Sequence, residues 1–196
     1  MNTSSRATLA HRKNGALTLA LVTGAVALLA GCAGVKAPPK EYAQDRLDEQ
    51  IQVPAGHVVA LETTAVGVLN YECKANPAAS GAIGWVLVSP QAELVDRTGK
   101  TVAKYSGPPA TWTHMDGSSV VGMQVAVAPR PGSTNLAYQL AKGTPAATPG
   151  AMQGITYIQR IRTKGGQDLS KACTQADMGD KLTLPYQADY IFWKAA

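Results

Sequence analysis

The chain has 196 residues, 45% hydrophobic and 16% charged, with a formal net charge of +5. Three of its 18 basic residues lie in residues 1–31 and all 13 acidic residues come later, so the part after residue 31 carries only +2. That balance, with no run of four basic residues, excludes the basic patch or stripe that nucleic-acid binding needs. The 165 residues after position 31 fit one domain with a real core.

Residues 1–13 hold Arg6, Arg12 and Lys13 and no acid, and an apolar stretch from Ala16 to Leu29 follows. Those 14 residues span about 21 Å as a helix. A bilayer core of about 30 Å needs a longer run, so the stretch reads as the apolar part of a signal peptide. Leu28-Leu29-Ala30-Gly31-Cys32 then looks like a bacterial lipobox, with small residues where a peptidase needs narrow side chains. The plain alternative is an ordinary signal peptide with an incidental cysteine. On the lipobox reading, residues 1–31 are removed and Cys32 is acylated. Several acyl chains on one cysteine give a stable membrane anchor, since a single chain holds only marginally. Ala33 rather than Asp follows the cysteine, which by similarity to bacterial lipoproteins points to the outer membrane, facing the periplasm. Residues 32–50, with Pro38-Pro39, are expected to form the anchor and a short tether, and 51–196 the globular domain.

Gln44 to Gln50 is polar and predicts a short helix or an ordered lead-in. From Val58 the apolar residues recur every second position, as strands require. Val59, Leu61, Thr63, Ala65, Leu69 and Tyr71 share one face, with Cys73 next on it. Trp85–Val88 and Ala92–Val95 read as two short strands broken by Pro90. Asp96-Arg97-Thr98-Gly99 predicts a turn into a strand over Thr101–Tyr105, a hairpin. Ser106 to Ala110 reads as a Gly-Pro-Pro loop, and Trp112, between Thr111 and Thr113, is placed in a loop just before Asp116-Gly117. Asp116-Gly117-Ser118 marks another turn before the apolar run Val120–Val127. A short strand over Leu136–Leu140 interrupts a Pro-, Gly- and Ala-rich stretch, and Ile155–Thr163 predicts the next strand. Leu182, Leu184, Tyr186, Ala188, Tyr190 and Phe192 alternate on one face of the last run. Pro185 makes that strand an edge or a bulged one. No long amphipathic helix follows the signal. The prediction is all-β: one antiparallel sandwich or barrel-like domain of about eight short strands.

With Cys32 lipidated, only Cys73 and Cys173 remain. Two cysteines in an oxidising compartment most simply form one disulfide. It would close a loop of roughly 100 residues, worth about 4.7 kcal/mol in the chain-entropy model. Free or metal-binding thiols are the rival reading, and the absence of CxxC weighs against it.

Chemistry-bearing motifs are few. The histidines after the signal are His57 and His114, short of the three protein ligands of a catalytic zinc, and HExxH is absent. No metal and no cofactor are expected. His114-x-Asp116 is half a metal site or, more simply, an Asx-type turn. There is no GxSxG elbow, no phosphate-binding glycine loop and no GxGxxG. Glu62, Glu72, Glu93, Asp116 and Asp189 could supply a carboxylate pair for glycoside hydrolysis, but any β protein has that many acids. Trp112, beside polar residues, is either a ligand platform or a plug over one end of the fold. Trp85 and Trp193 fall in strand patterns.

Several segments occur in an order that resembles a known family. They include Tyr71-x-Cys73, Trp85, Tyr105-x-Gly107-Pro108, Thr111-Trp112, Asp116-Gly117-Ser118, Tyr157-Ile158-Gln159-Arg160, Thr163-Lys164-Gly165-Gly166, Cys173 and Pro185-Tyr186-x-Ala188-Asp189-Tyr190. From roughly residue 50 to 193 the chain resembles domain of unknown function 3455, found in exported bacterial and fungal proteins. The resemblance implies a secreted β-rich domain with its two cysteines paired, and it implies no activity. The chain departs from the pattern with Lys104 where a His is frequent, Thr113 where a Glu is, and an extra Pro109-Ala110. These departures weigh against an enzyme.

The expectation is a lipid-anchored envelope module that binds a ligand or serves a structural role, with an envelope glycan or protein as partner. Its candidate site is Trp112, His114, Asp116 and Arg160. The alternative is an envelope enzyme acting on a glycan near Trp112 and Asp116. A third reading is an inhibitor or surface protein meeting a host or rival partner.

Overall fold

The alternation closes on itself: eight antiparallel strands each pair with the next, and the last pairs with the first. In this computed structural model, which describes residues 42–129 and 132–196, the strands are β1 (His57–Ala75), β2 (Ile83–Val95), β3 (Thr101–Ser106), β4 (Thr111–His114), β5 (Ser119–Ala128), β6 (Tyr138–Pro145), β7 (Ile155–Gly165) and β8 (Lys181–Ala195). Cys32 and the rest of the lipobox lie outside the described residues. The protein is thus a closed up-and-down barrel, and closure leaves no unpaired sheet edge. Among the described residues the helical pieces are single turns at Glu49–Ile51, Pro77–Ala79 and Gln175–Asp177. None of them is long and apolar enough to cross a membrane.

The up-and-down order sorts the connections. The β1–β2, β3–β4, β5–β6 and β7–β8 loops gather at one end, called the upper end below. The β2–β3, β4–β5 and β6–β7 loops gather at the lower end. Cys73, near the upper end of β1, is disulfide-bonded to Cys173 in the β7–β8 loop, with Cα atoms 5.6 Å apart.

Two apolar layers hold the wall. Inside are residues such as Leu69, Leu94, Trp112, Val120, Ile158, Tyr190 and Phe192. Outside, Ile51 and Val53 cover Ala128, Leu140, Ile161, Ile191 and Trp193. The segment from Tyr42 to Val53 is therefore an ordered strap on the outer wall. Burying Ile51 completely contributes on the order of 2 kcal/mol.

The strands depart from the sequence reading where bulges and closure intervene. β2 is one strand through Pro90, with Val88 bulged between the pairs Asn70–Ser89 and Tyr71–Leu87. The β3 ladder begins only at Gln91, so no neighbour on that side requires a donor from Pro90. β8 is flanked by β1 and β7 and is no edge. Pro185 fits because the β7 ladder ends at Gly165 opposite Tyr186, one residue short of it. Ala60 is bulged between Val59–Trp193 and Leu61–Phe192, which turns Val59 to the outer layer and Leu61 to the inner one. β6 spans Tyr138–Pro145, later than the predicted Leu136–Leu140.

Candidate ligand-binding site

The upper end of the barrel encloses a cavity of about 500 Å³. Its lining includes Tyr71, Trp85, Tyr105, Trp112, Gln124, Gln139, Arg160, Gln167 and Leu169. Seven strands, β1 to β7, and the β7–β8 loop supply these side chains, each placed inward by the period-two alternation of its strand or carried over the mouth by the loop.

Aromatic packing forms the floor. Trp112 lies in β4, not in a loop, and is 2% exposed. Its ring stacks on Tyr105 at 4.7 Å between centroids and 17° between planes. Tyr190 meets both rings, at 5.5 Å from Tyr105 and 5.3 Å from Trp112, and Phe192 meets the indole edge-on. Gly122 on β5 makes room for it, since a Cβ there would stand 2.6 Å from Trp112 Cζ3.

Above this floor Arg160 is the one charged residue of the lining, which holds no acid. Paired with Tyr190 on β8 and Gln139 on β6, it shares their inward face. Its Nε and Nη2 donate to the Ala137 carbonyl at 3.2 and 3.1 Å. It forms no ion pair among the described residues. Burial pushes the phenols of Tyr71, Tyr105, Tyr186 and Tyr190 above their ordinary range, and the Arg160 charge pulls each of them back. All four therefore stay protonated at neutral pH. Tyr71 spends its hydroxyl on the Gly166 carbonyl at 2.7 Å. The Tyr186 and Tyr190 hydroxyls and Trp112 Nε1 are buried with no partner at full hydrogen-bond geometry, although the Tyr190 hydroxyl lies near Arg160 and Tyr186.

The disulfide pins the rim. Cys73 N donates to the Asp180 carbonyl and Gly179 N to the Cys73 carbonyl, both at 2.9 Å. Trp85 Nε1 donates to the Lys171 carbonyl at 2.8 Å, and the Lys171 ammonium sits 5.4 Å from the same ring. These contacts fix the loop that brings Gln167 and Leu169 over the cavity.

The four residues singled out in the sequence divide between the two ends. Trp112 and Arg160 share the cavity. His114 and Asp116 lie at the lower end, where they form a clasp. Asp116 accepts from Ser118 N at 2.9 Å, Ser118 Oγ at 2.6 Å and Ala151 N at 2.8 Å, with His114 Nδ1 3.0 Å away. Led by the Ser118 hydroxyl, these contacts hold the Asp116 carboxyl well below its usual range. A Cβ at Gly150 would come within 2.6 Å of Asp116 Oδ2, so the β6–β7 loop needs glycine there. Among the described residues no group of three or more His, Cys, Asp or Glu is placed to hold a metal ion.

Sequence reasoning passed over Tyr71, Tyr105, Tyr186 and Tyr190 as site residues. Their signal was present, since Tyr186 and Tyr190 alternate with Phe192 on one face of β8. The Thr163-Lys164-Gly165-Gly166 motif is structural. Thr163 Oγ1 donates to the Leu136 carbonyl at 2.6 Å, and a Cβ on Gly165 would stand 2.6 Å from the Pro185 carbonyl oxygen.

No curated protein and no solved structure shows significant similarity to the chain. The family model described as protein of unknown function (DUF3455) matches residues 54–194, a stretch that takes in β1 to β7 whole and all but the last residue of β8, and the chain belongs to that family.

Proposed function

We propose that this protein is a lipid-anchored binding protein of the bacterial cell envelope, which takes a small ligand into the upper end of its barrel. The observation that carries the reading is the cavity of about 500 Å³ walled by aromatic rings, with the buried Trp112 Nε1 of its lining left without a partner. Ligand sites commonly occupy about 300–1,000 Å³ in apolar walls with a few convergent polar groups. Eight-stranded barrels are just wide enough to be filled by side chains or to hold one small ligand.

The lipobox supports the address. Residues 1–31 are the signal, Cys32 carries the lipid that fixes the protein in the outer membrane facing the periplasm, and the segment after it tethers the barrel. The enzyme alternative near Trp112 and Asp116 loses its main support, because Trp112 is packed inside the barrel beneath the upper cavity and Asp116 is committed to the clasp in the lower loops.

Two measurements test the reading. A thermal-shift and tryptophan-fluorescence screen of the full lipoprotein in detergent, against neutral and charged small molecules, is expected to return compounds that raise the melting temperature and perturb Trp112. A screen in which no compound does both refutes the binding role. Separately, Cys32→Ser is expected to move the protein from the membrane to the soluble periplasmic fraction; unchanged membrane retention refutes the anchor.

A further inference from the structure

We propose that the cavity selects small organic oxyanions, a carboxylate or a phosphate ester, whose anionic group is received by Arg160 and whose apolar body lies against Tyr105 and Trp112. This rests on the binding role proposed above and specifies the ligand class.

Three independent features point to it. The first is charge: Arg160 is the single ionic residue of the lining, and no carboxylate among the described residues neutralises it. A half-buried guanidinium without a counter-charge is unfavourable, and an entering anion removes that penalty. The second is geometry. Nε and Nη2 share the single Ala137 carbonyl, which leaves the rest of the planar fork for a two-oxygen acceptor such as carboxylate or phosphate. The third is the surrounding donor set. Trp112 Nε1, in the lining, is buried without a partner, the Tyr190 hydroxyl lies beside Arg160, and the lining offers no acid to repel an anion. The stacked Tyr105–Trp112 pair supplies a flat apolar wall for the remainder of the ligand.

The test uses full-length protein in detergent and four probes: benzoate, phenyl phosphate, inorganic phosphate and the uncharged benzamide. Calorimetric titration is expected to show benzoate or phenyl phosphate binding at least tenfold more tightly than benzamide, with inorganic phosphate weaker than phenyl phosphate. In Arg160→Gln, whose amide can still donate to the Ala137 carbonyl, that preference is expected to vanish while the melting temperature of the free protein is kept. Should the variant fail to fold, wild-type protein supplies a second readout. Bound benzoate is expected to protect Arg160 from phenylglyoxal, mapped by mass spectrometry.

Equal binding of benzoate and benzamide, or unprotected Arg160 in the benzoate complex, overturns the oxyanion inference and leaves the binding role standing. Inorganic phosphate binding as tightly as phenyl phosphate removes the apolar body from it. No binding by any probe at millimolar concentration, charged or neutral, counts against both readings.

Discussion

Gln159 and Arg160 are consecutive residues of β7 that face opposite sides of the barrel wall. Arg160 lines the inner cavity, while Gln159, fully buried, holds the strap outside. Gln159 Oε1 accepts from the Tyr42 hydroxyl at 2.8 Å, and its Nε2 donates to the Ile51 carbonyl at 2.6 Å and to Gln44 Oε1 at 3.2 Å. Period two makes such a division unavoidable for neighbours in a strand. One tetrapeptide, Tyr157-Ile158-Gln159-Arg160, thus serves the fold and the cavity at once.

The two residues are expected to separate cleanly by mutation. Gln159→Ala strands the Ile51 carbonyl and the Tyr42 hydroxyl beneath the strap. At about 1 kcal/mol for each of the three lost bonds, chemical denaturation should show a loss of roughly 3 kcal/mol, with ligand binding retained. Arg160→Gln should leave the denaturation midpoint almost unchanged. A stability loss for Arg160→Gln as large as that for Gln159→Ala would mean both residues are structural.

Much of this fold was legible because strands alternate, and the run from Leu182 to Phe192 reports its inward face directly. What could not be read were single-residue bulges. Ala60 turns Val59 outward, and Val88 lets β2 run on through Pro90. A bulge changes backbone register without changing the types of residue on either side, so periodicity does not reveal it. Closure was equally hidden: a sandwich and a barrel use the same alternation, and only the pairing of β1 with β8 distinguishes them. Trp112 and Arg160 were visible as candidates. Their separation from His114 and Asp116 was not, because it depends on which loops share an end of the barrel.

Gly122 is fixed by the indole opposite it. A methyl group there would stand 2.6 Å from Trp112 Cζ3 and force the ring to move against Tyr105 and Tyr190. Overpacking of this kind costs about 1–3 kcal/mol. Gly122→Ala should therefore lower the denaturation midpoint and change the tryptophan emission, because Trp112 would lose its stacking geometry. An unaltered spectrum at wild-type stability would contradict this packing.

The disulfide acts at the rim of the cavity. Breaking Cys73–Cys173 releases the loop that carries Gln167 and Leu169. Cys73→Ser with Cys173→Ser is expected to lower stability by about 2–4 kcal/mol. Amide exchange over residues 167–179 should quicken far more than in β7 and β8, because those amides keep their ladders. Ligand affinity should fall with the loosened rim. Exchange that rises evenly over the whole barrel would instead make the disulfide a general staple with no local effect on the mouth.

At the lower end, the Asp116 clasp should make stability depend on acid. Its carboxyl is held below the ordinary range by the Ser118 hydroxyl first, then by the Ala151 and Ser118 amides. A depressed carboxyl favours the folded state while it is ionised. The contribution is thus complete above the unfolded value of about 3.9 and is lost as pH falls below it, toward the folded value. Asp116→Asn removes the ionisation but keeps the shape. Its melting temperature should lie below that of the wild type at neutral pH, and the gap should close on acidification below about pH 4. Asp96 and Asp177 are lowered by the Thr98 and Thr174 hydroxyls and remain in both proteins, so the comparison isolates Asp116. Melting curves for the two proteins across that range check it, and a gap that stays constant with pH would show that the charge on Asp116 adds nothing to the clasp.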